Sequence, residues 1–170
     1  MHIVTDPILE EYKNRVLNVH PADLSILSGP TSSRLDVSQL SPKEVKKLVE
    51  TNRLTRKIKG ENSVYDAIIS GEPSTRSTIH IATEDFDEGP IAAQSKPFAI
   101  AHDVRERALR GLTDGLQDYA SSLQIRMKEE GDGPAYLKAL DIISHGRLSV
   151  DGETLSLDGK GLPYCGFRLG

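Results

Sequence analysis

With 170 residues the chain is long enough to bury a core without disulfides or metal, and its lone cysteine, Cys165, excludes a disulfide framework and a multi-cysteine zinc site. The net charge of −4 gives no global reason for nucleic-acid binding, so any such case must come from local patches. No run approaches the ~20 apolar residues of a membrane span, and the N-terminus lacks the basic and apolar regions of a secretory signal, so a soluble protein of a reducing interior is expected.

Asp6-Pro7 pairs a cap with proline at the first helical position, and Ile8, Leu9, Tyr12, Val16 and Val19 follow at near-helical spacing, predicting a helix over 7–19 that His20-Pro21 ends. Leu24, Ile26 and Leu27 predict a short buried strand, and Leu35 and Val37 a second. Ser41-Pro42-Lys43-Glu44 is a capping box opening a helix over 42–52 that buries Val45, Leu48 and Val49. A third helix is expected over Ser63 to Ile69, with Ser63 and Asp66 as its cap pair and Gly71 as its stop. Glu72 to Ser77 reads as a loop, and Thr78 to Thr83 alternates like a half-buried strand, with Ile79 and Ile81 on one face and His80 on the other. Glu84 to Pro90 is an acidic loop, and Phe98 to Ala101 a strand.

The dominant pattern lies between Asp103 and Glu130, where Leu109, Leu112, Leu116, Tyr119, Leu123 and Met127 recur at helical intervals. It predicts one long helix of roughly 40 Å, capped by Asp103 and stopped by Gly131-Asp132-Gly133-Pro134. Beyond it come a short helix over 135–144, a hairpin centred on Asp151-Gly152 and a glycine-rich end. The fold class that follows is α/β or α+β, a small mixed sheet flanked by helices and organised on the long helix. It divides into a core over 1–130 and a tail over 131–170 that is ordered only when docked.

Three groups of residues are candidates for function. Lys43, Lys46, Lys47, Arg53, Arg56, Lys57 and Lys59 stand against only Glu44 and Glu50 between positions 43 and 59, a local positive field suited to phosphate contact on single-stranded RNA or else a solvated face. Glu84, Asp85, Asp87 and Glu88 could converge on a divalent cation, but Gly89 falls one place early for a calcium loop, so no metal and no cofactor is expected. His80 and His102, with an acid from Asp85 or Asp87, could form a hydrolase or transferase site, with Cys165 or a serine as nucleophile. Gly111 and Gly115, read as helix-interior glycines, suggest close approach of another backbone: a core strand, or the same helix of a second subunit in a homodimer.

The division at Glu130-Gly131, a compact core ending in a long helix followed by a glycine-rich tail, resembles the small assembly and packaging cofactor of the inner procapsid of the cystoviruses, double-stranded RNA bacteriophages. The resemblance implies a dimeric, non-enzymatic protein of the virion interior, made in the cytoplasm of a bacterial host. Such a protein assists assembly of the capsid inner layer and packaging of single-stranded RNA, touching the shell protein and the viral polymerase. The His80, His102 and Asp85 enzyme reading is the alternative.

Overall fold

The computed structural model describes residues 6–30, 34–152 and 154–170. Chain order gives α1 (Asp6–Glu11), β1 (Leu17–His20), β2 (Ile26–Ser28), β3 (Arg34–Asp36), α2 (Pro42–Asn52), β4 (Thr55–Arg56), α3 (Ser63–Ile69), β5 (Ser74–Thr75), β6 (Thr78–Ile81), β7 (Ile91–Gln94) and β8 (Phe98–Ala99). There follow α4 (His102–Leu109), α5 (Leu116–Met127), a π-helical stretch Lys128–Asp132, α6 (Gly133–Ser144), and the strands β9 (Leu148–Asp151), β10 (Thr154–Leu157), β11 (Lys160–Gly161) and β12 (Phe167–Arg168). This is a mixed α/β architecture with a sheet flanked by helices, one of them long.

The central sheet has the order β1-β6-β7-β12, antiparallel except for the parallel β7–β12 pair. One face is apolar: Ile79 and Ala93 meet Ala135 and Ala139 of α6, with Leu17, Val19 and Phe167 closing the cluster. The expected alternation along β6 is present, but all four of its residues are buried because the second face is covered as well. A separate core joins α3, α4 and α5 through Val64, Ile68, Val104, Leu116 and Leu123. The sheet β3-β2-β4 packs with α2 through Leu27, Val37 and Val45, and the sheet β11-β10-β9 brings Leu155 onto Ile81 and Ala92.

The capping box forms as read: Ser41 Oγ accepts from the Glu44 amide, and the Glu44 carboxylate accepts from the Ser41 amide at 2.8 Å. Elsewhere the boundaries differ from expectation for identifiable reasons. The first helix stops at Glu11, Asn14 takes a left-handed φ of 62°, and Leu17–His20 then pairs with β6 as a strand. At α3 the cap is Asn62 rather than Ser63, which is buried inside the first turn. Residues 72–77 are not all loop, since Ser74–Thr75 pairs with β8, and β7 is a strand the sequence did not announce.

The long helix is displaced along the chain. Arg110 to Gly115 break the expected run: α4 ends at Leu109, Gly111 and Gly115 both sit at positive φ (74° and 71°), and helical backbone resumes at Leu116. It then continues to Ser144, because Gly131 to Pro134 do not stop it; an extra residue is absorbed as the π-helical stretch, and Pro134 falls in the first turn of α6, where its missing N–H costs nothing. Gly131 fits because it lies against Phe98, where a Cβ would meet the ring at 2.8 Å. A Cβ at Gly111 or Gly115 meets nothing within 4 Å in the chain, so the two glycines serve the left-handed turn and no core strand approaches them.

Residues beyond 131 are built onto the earlier chain. Leu169 donates its amide to Gln94 O at 2.9 Å, Cys165 its amide to Ser38 O at 3.2 Å, and Arg168 reaches Gln94, Ser38, Ser25 and Asp23.

Candidate active site

Strand alternation puts Asn18 and His20 of β1 on the same sheet face as Thr78 and His80 of β6, with Asn18 opposite His80 and His20 opposite Thr78. A register shift between Ile79 and His80, with Ala92 as the additional residue on β7, twists this end of the sheet locally. Over this face folds the acidic loop, and it delivers Asp87 between the two histidines. His20 Nδ1 lies 3.3 Å from Asp87 Oδ2, and His80 Nε2 lies 3.5 Å from Asp87 Oδ1. Asn18 Nδ2 is 3.2 Å from His80 Nε2, His80 Nδ1 is 3.1 Å from Ile81 O, and His20 Nε2 is 3.3 Å from Ile58 O.

These partners assign protons. A backbone carbonyl only accepts, so the His80 Nδ1 facing Ile81 O carries its hydrogen, and the unprotonated Nε2 accepts from the Asn18 amide. His20 faces an acceptor on each side, so its neutral ring satisfies one and an imidazolium would satisfy both. Burial nevertheless dominates: it lowers the His20 pKa to about 4 against the raising effect of Asp87. For Asp87 burial works upward, but the adjacent rings of His80 and His20 and the Gly60 amide at 3.2 Å hold the carboxyl below its usual value. The resting site therefore pairs a neutral imidazole with a carboxylate. His20, His80 and Asp87 are all buried, and Asn18 alone of the four is exposed.

The loop is held from behind. Arg56, 3% exposed, donates through its guanidinium to Asp87 O and, at 2.9 Å, to Gly89 O, while its Nε bonds Tyr164 Oη at 3.1 Å. Asp87 itself sits at φ 56°, a left-handed conformation that surrounding structure must impose on a residue with a side chain. Gly89 is required sterically, since a Cβ there would lie 1.8 Å from Ile81 O. The Gly89→Ala protein is expected to lose about 3 kcal/mol of stability, the upper end of an overpacking penalty, with the loop around Asp87 displaced. A urea midpoint unchanged from wild type would show that the loop does not need this contact.

The titration of His20 has a stability consequence. Unfolded His20 binds a proton near pH 6.5, whereas folded His20 does so only near 4, so the unfolded state holds the extra proton between those values. Stability from this group is complete above about pH 6.5 and declines as pH falls toward 4, by about 3 kcal/mol in total. Asp87 adds a loss at still lower pH, as its depressed carboxyl is protonated. Urea unfolding from pH 7.5 to 4.5 should show this slope in the wild type and a shallower one in His20→Gln; identical slopes would remove His20 as its source.

Of the residues singled out in the sequence, His80 and Asp87 enter this cluster. Asp85 is exposed one turn of loop away, and His102 is exposed at the first turn of α4, in neither case bonded to the cluster. Cys165 is buried against Gly166 O, and burial pushes its thiol pKa up, the reverse of an activated nucleophile. His20 and Asn18 were missed because His20-Pro21 reads as a helix stop; the signal present was the N-x-H alternation of a strand. Among the described residues no group of three His, Cys, Asp or Glu is arranged to hold a metal ion.

The basic segment has a different occupation from the expected one. Arg56, Ile58 and Gly60 point inward to the loop carbonyls, His20 and Asp87. Lys57 pairs with the buried Glu72 and Lys59 with Glu88, both at 2.7 Å, so the acidic loop is docked on this segment. Lys43, Lys46, Lys47 and Arg53 remain on the exposed surface of α2 and its C-terminal end.

No family model and no curated protein matches the chain. Among solved structures it is similar to the phosphoribosylglycinamide formyltransferase of Coxiella burnetii, at 21% identity over 100% of this chain and 58% of that one, with a TM-score of 0.57. The corresponding enzyme of Anaplasma phagocytophilum gives 18% identity over 100% of this chain and 60% of that one, TM-score 0.60. A formyltetrahydrofolate deformylase of Pseudomonas syringae pv. tomato gives 17% over 92% of this chain and 37% of that one, TM-score 0.56. The chain thus spans little more than half the length of the two formyltransferases. These likenesses overturn the procapsid resemblance and with it the non-enzymatic role, RNA packaging, the homodimer, the shell-protein and polymerase partners and the virion setting. Among the described residues no helix is long and apolar enough to cross a membrane. The chain has the fold shared by these formyltransferases and the deformylase.

Proposed function

We propose that the protein is an enzyme moving a formyl group from formyltetrahydrofolate to an amine or to water, at the face formed by Asn18, His20, His80 and Asp87. The observation that carries this reading is the linked set of one amide, two imidazoles and one carboxylate on a sheet face, in a fold shared with formyltransferases and a formyltetrahydrofolate deformylase. In such a reaction a nucleophile adds to the formyl carbon, its proton must be removed, and the carbonyl oxygen becomes an oxyanion. Asn18 has two amide hydrogens; His80 takes one, and the other is bonded to no described residue and is available to the developing oxyanion. Neutral His20 accepts the proton, and Asp87 beside it balances the resulting charge. The donor nitrogen then leaves with a proton as the tetrahedral adduct collapses, yielding a new formamide if the nucleophile was an amine and formate if it was water.

The test is to incubate the protein with formyltetrahydrofolate and follow tetrahydrofolate and formate, with and without phosphoribosylglycinamide. Turnover only with the amine identifies transfer, and formate release without it identifies hydrolysis. Absence of both, or turnover indifferent to Asn18→Ala, overturns the reading.

A further inference from the structure

A cleft of about 490 Å³ lies behind the loop that carries Asp87. Its floor is apolar, made by Leu27, Val45, Val49, Leu54, Ile91 and Leu155 from four different elements and the chain between them. The volume is that of a small-molecule site, and a lining mostly of aliphatic side chains with a few polar groups is the usual make-up of one. The loop turns Asp87 toward the histidines and presents Asp85, Glu88 and Gly89 to the cleft, so the cleft and the histidine cluster share one wall without sharing a side chain.

Its polar groups are unevenly committed. Arg56 is spent on the carbonyls of Asp87 and Gly89, and Glu88 on Lys59. Lys46 at the mouth is engaged with a neighbour. Glu50 and Asp85 are exposed lining residues whose carboxylates have no partner among the described residues. Tyr164 Oη accepts from Arg56 and keeps its own hydrogen to donate. A cation is therefore favoured at the mouth and an apolar body below it, whereas an anion would meet two uncompensated carboxylates.

We propose that this cleft binds a small molecule with an apolar body and a protonated amine, seated between α2 and the back of the Asp87 loop. The binding rests on the cleft alone and stands apart from the formyl chemistry, so the test reads binding and not turnover. Amide shifts in the full chain are followed on titration with 2-phenylethylamine and, as the charge-reversed control, 3-phenylpropionate. The amine is expected to saturate shifts at Val49, Asp85, Glu88 and Tyr164 at about millimolar concentration, as suits so small a probe. The acid should bind more weakly. Glu50→Gln combined with Asp85→Asn, both surface changes that leave the core intact, should weaken the amine about five-fold. Val49→Trp, which fills the cleft, should abolish the shifts if its spectrum remains that of the folded protein. Equal binding of amine and acid, no effect of the double substitution, shifts confined to other surfaces, or no saturation would each overturn the proposal.

Discussion

Asp87→Asn should lower the formyl-transfer or formyl-hydrolysis rate by about 10²–10⁴-fold, the range over which a positioned acid–base group acts, while the protein remains folded. The substitution is nearly isosteric, so the Gly60 amide at 3.2 Å still finds an oxygen and the backbone carbonyl still receives Arg56. What changes is charge. The carboxylate is the neighbour that most raises the His20 pKa against burial, ahead of Ile58 O, so an amide leaves His20 still harder to protonate and the developing imidazolium without a counter-charge. With its oxygen kept toward Gly60 and His20, the amide turns its N–H to the unprotonated His80 Nε2, where it competes with the Asn18 amide. The loss should therefore fall on kcat rather than on substrate binding, and the His20 imidazole titration followed by NMR should move below its wild-type position near 4. A rate within three-fold of wild type would remove Asp87 from the chemistry, whatever the fold of the chain.

Why the cluster was only half visible in the sequence follows from where its information lies. The alternation of Thr78 to Ile81 is local, so His80 could be placed on a strand face opposite Ile79 without knowing anything else. Asp87 could not, because in the run Glu84 to Glu88 it differs from its neighbours in no local respect; it is distinguished by Arg56 and Gly60, some thirty residues away, which pull its backbone and carboxylate inward. The same long-range pairing misdirected the reading of the basic segment. From Arg56 to Gly60 the even positions serve the site, while Lys57 and Lys59 between them pair with Glu72 and Glu88, a strand-like division that a count of charges does not see. Gly111 and Gly115 misled for a local reason: a glycine inside a helical pattern and a glycine ending a helix at positive φ look alike until the neighbouring hydrogen bonds are known. The fold class survived these errors because it depends on the number and kind of elements, not on their ends.

The second large effect is expected at Arg56. Arg56→Met should destabilise the protein by about 4 kcal/mol, because it leaves the carbonyls of Asp87 and Gly89 without their donor and each orphaned buried acceptor costs roughly 1–3 kcal/mol. Methionine replaces the stem of the side chain to about the position of Nε but not the guanidinium, whose carbon lies 5.4 Å from the Tyr164 ring centroid, so loss of that contact adds to the change. Arg56→Lys retains the charge but replaces a planar fork with a point donor, so it cannot hold both carbonyls and Tyr164 Oη in one geometry and should recover only part of the loss. The order wild type, Lys, Met in urea midpoint is the stability readout. Function should follow a different order of severity, because Asp87 at φ 56° depends on the same carbonyl bonds to stay between the histidines. Both variants should therefore lose activity even under conditions where they are fully folded, with the Asp87 and Gly89 amides shifted in the NMR spectrum. A variant that is destabilised but fully active would confine Arg56 to the fold; one that is neither destabilised nor impaired would mean that the loop is held from elsewhere.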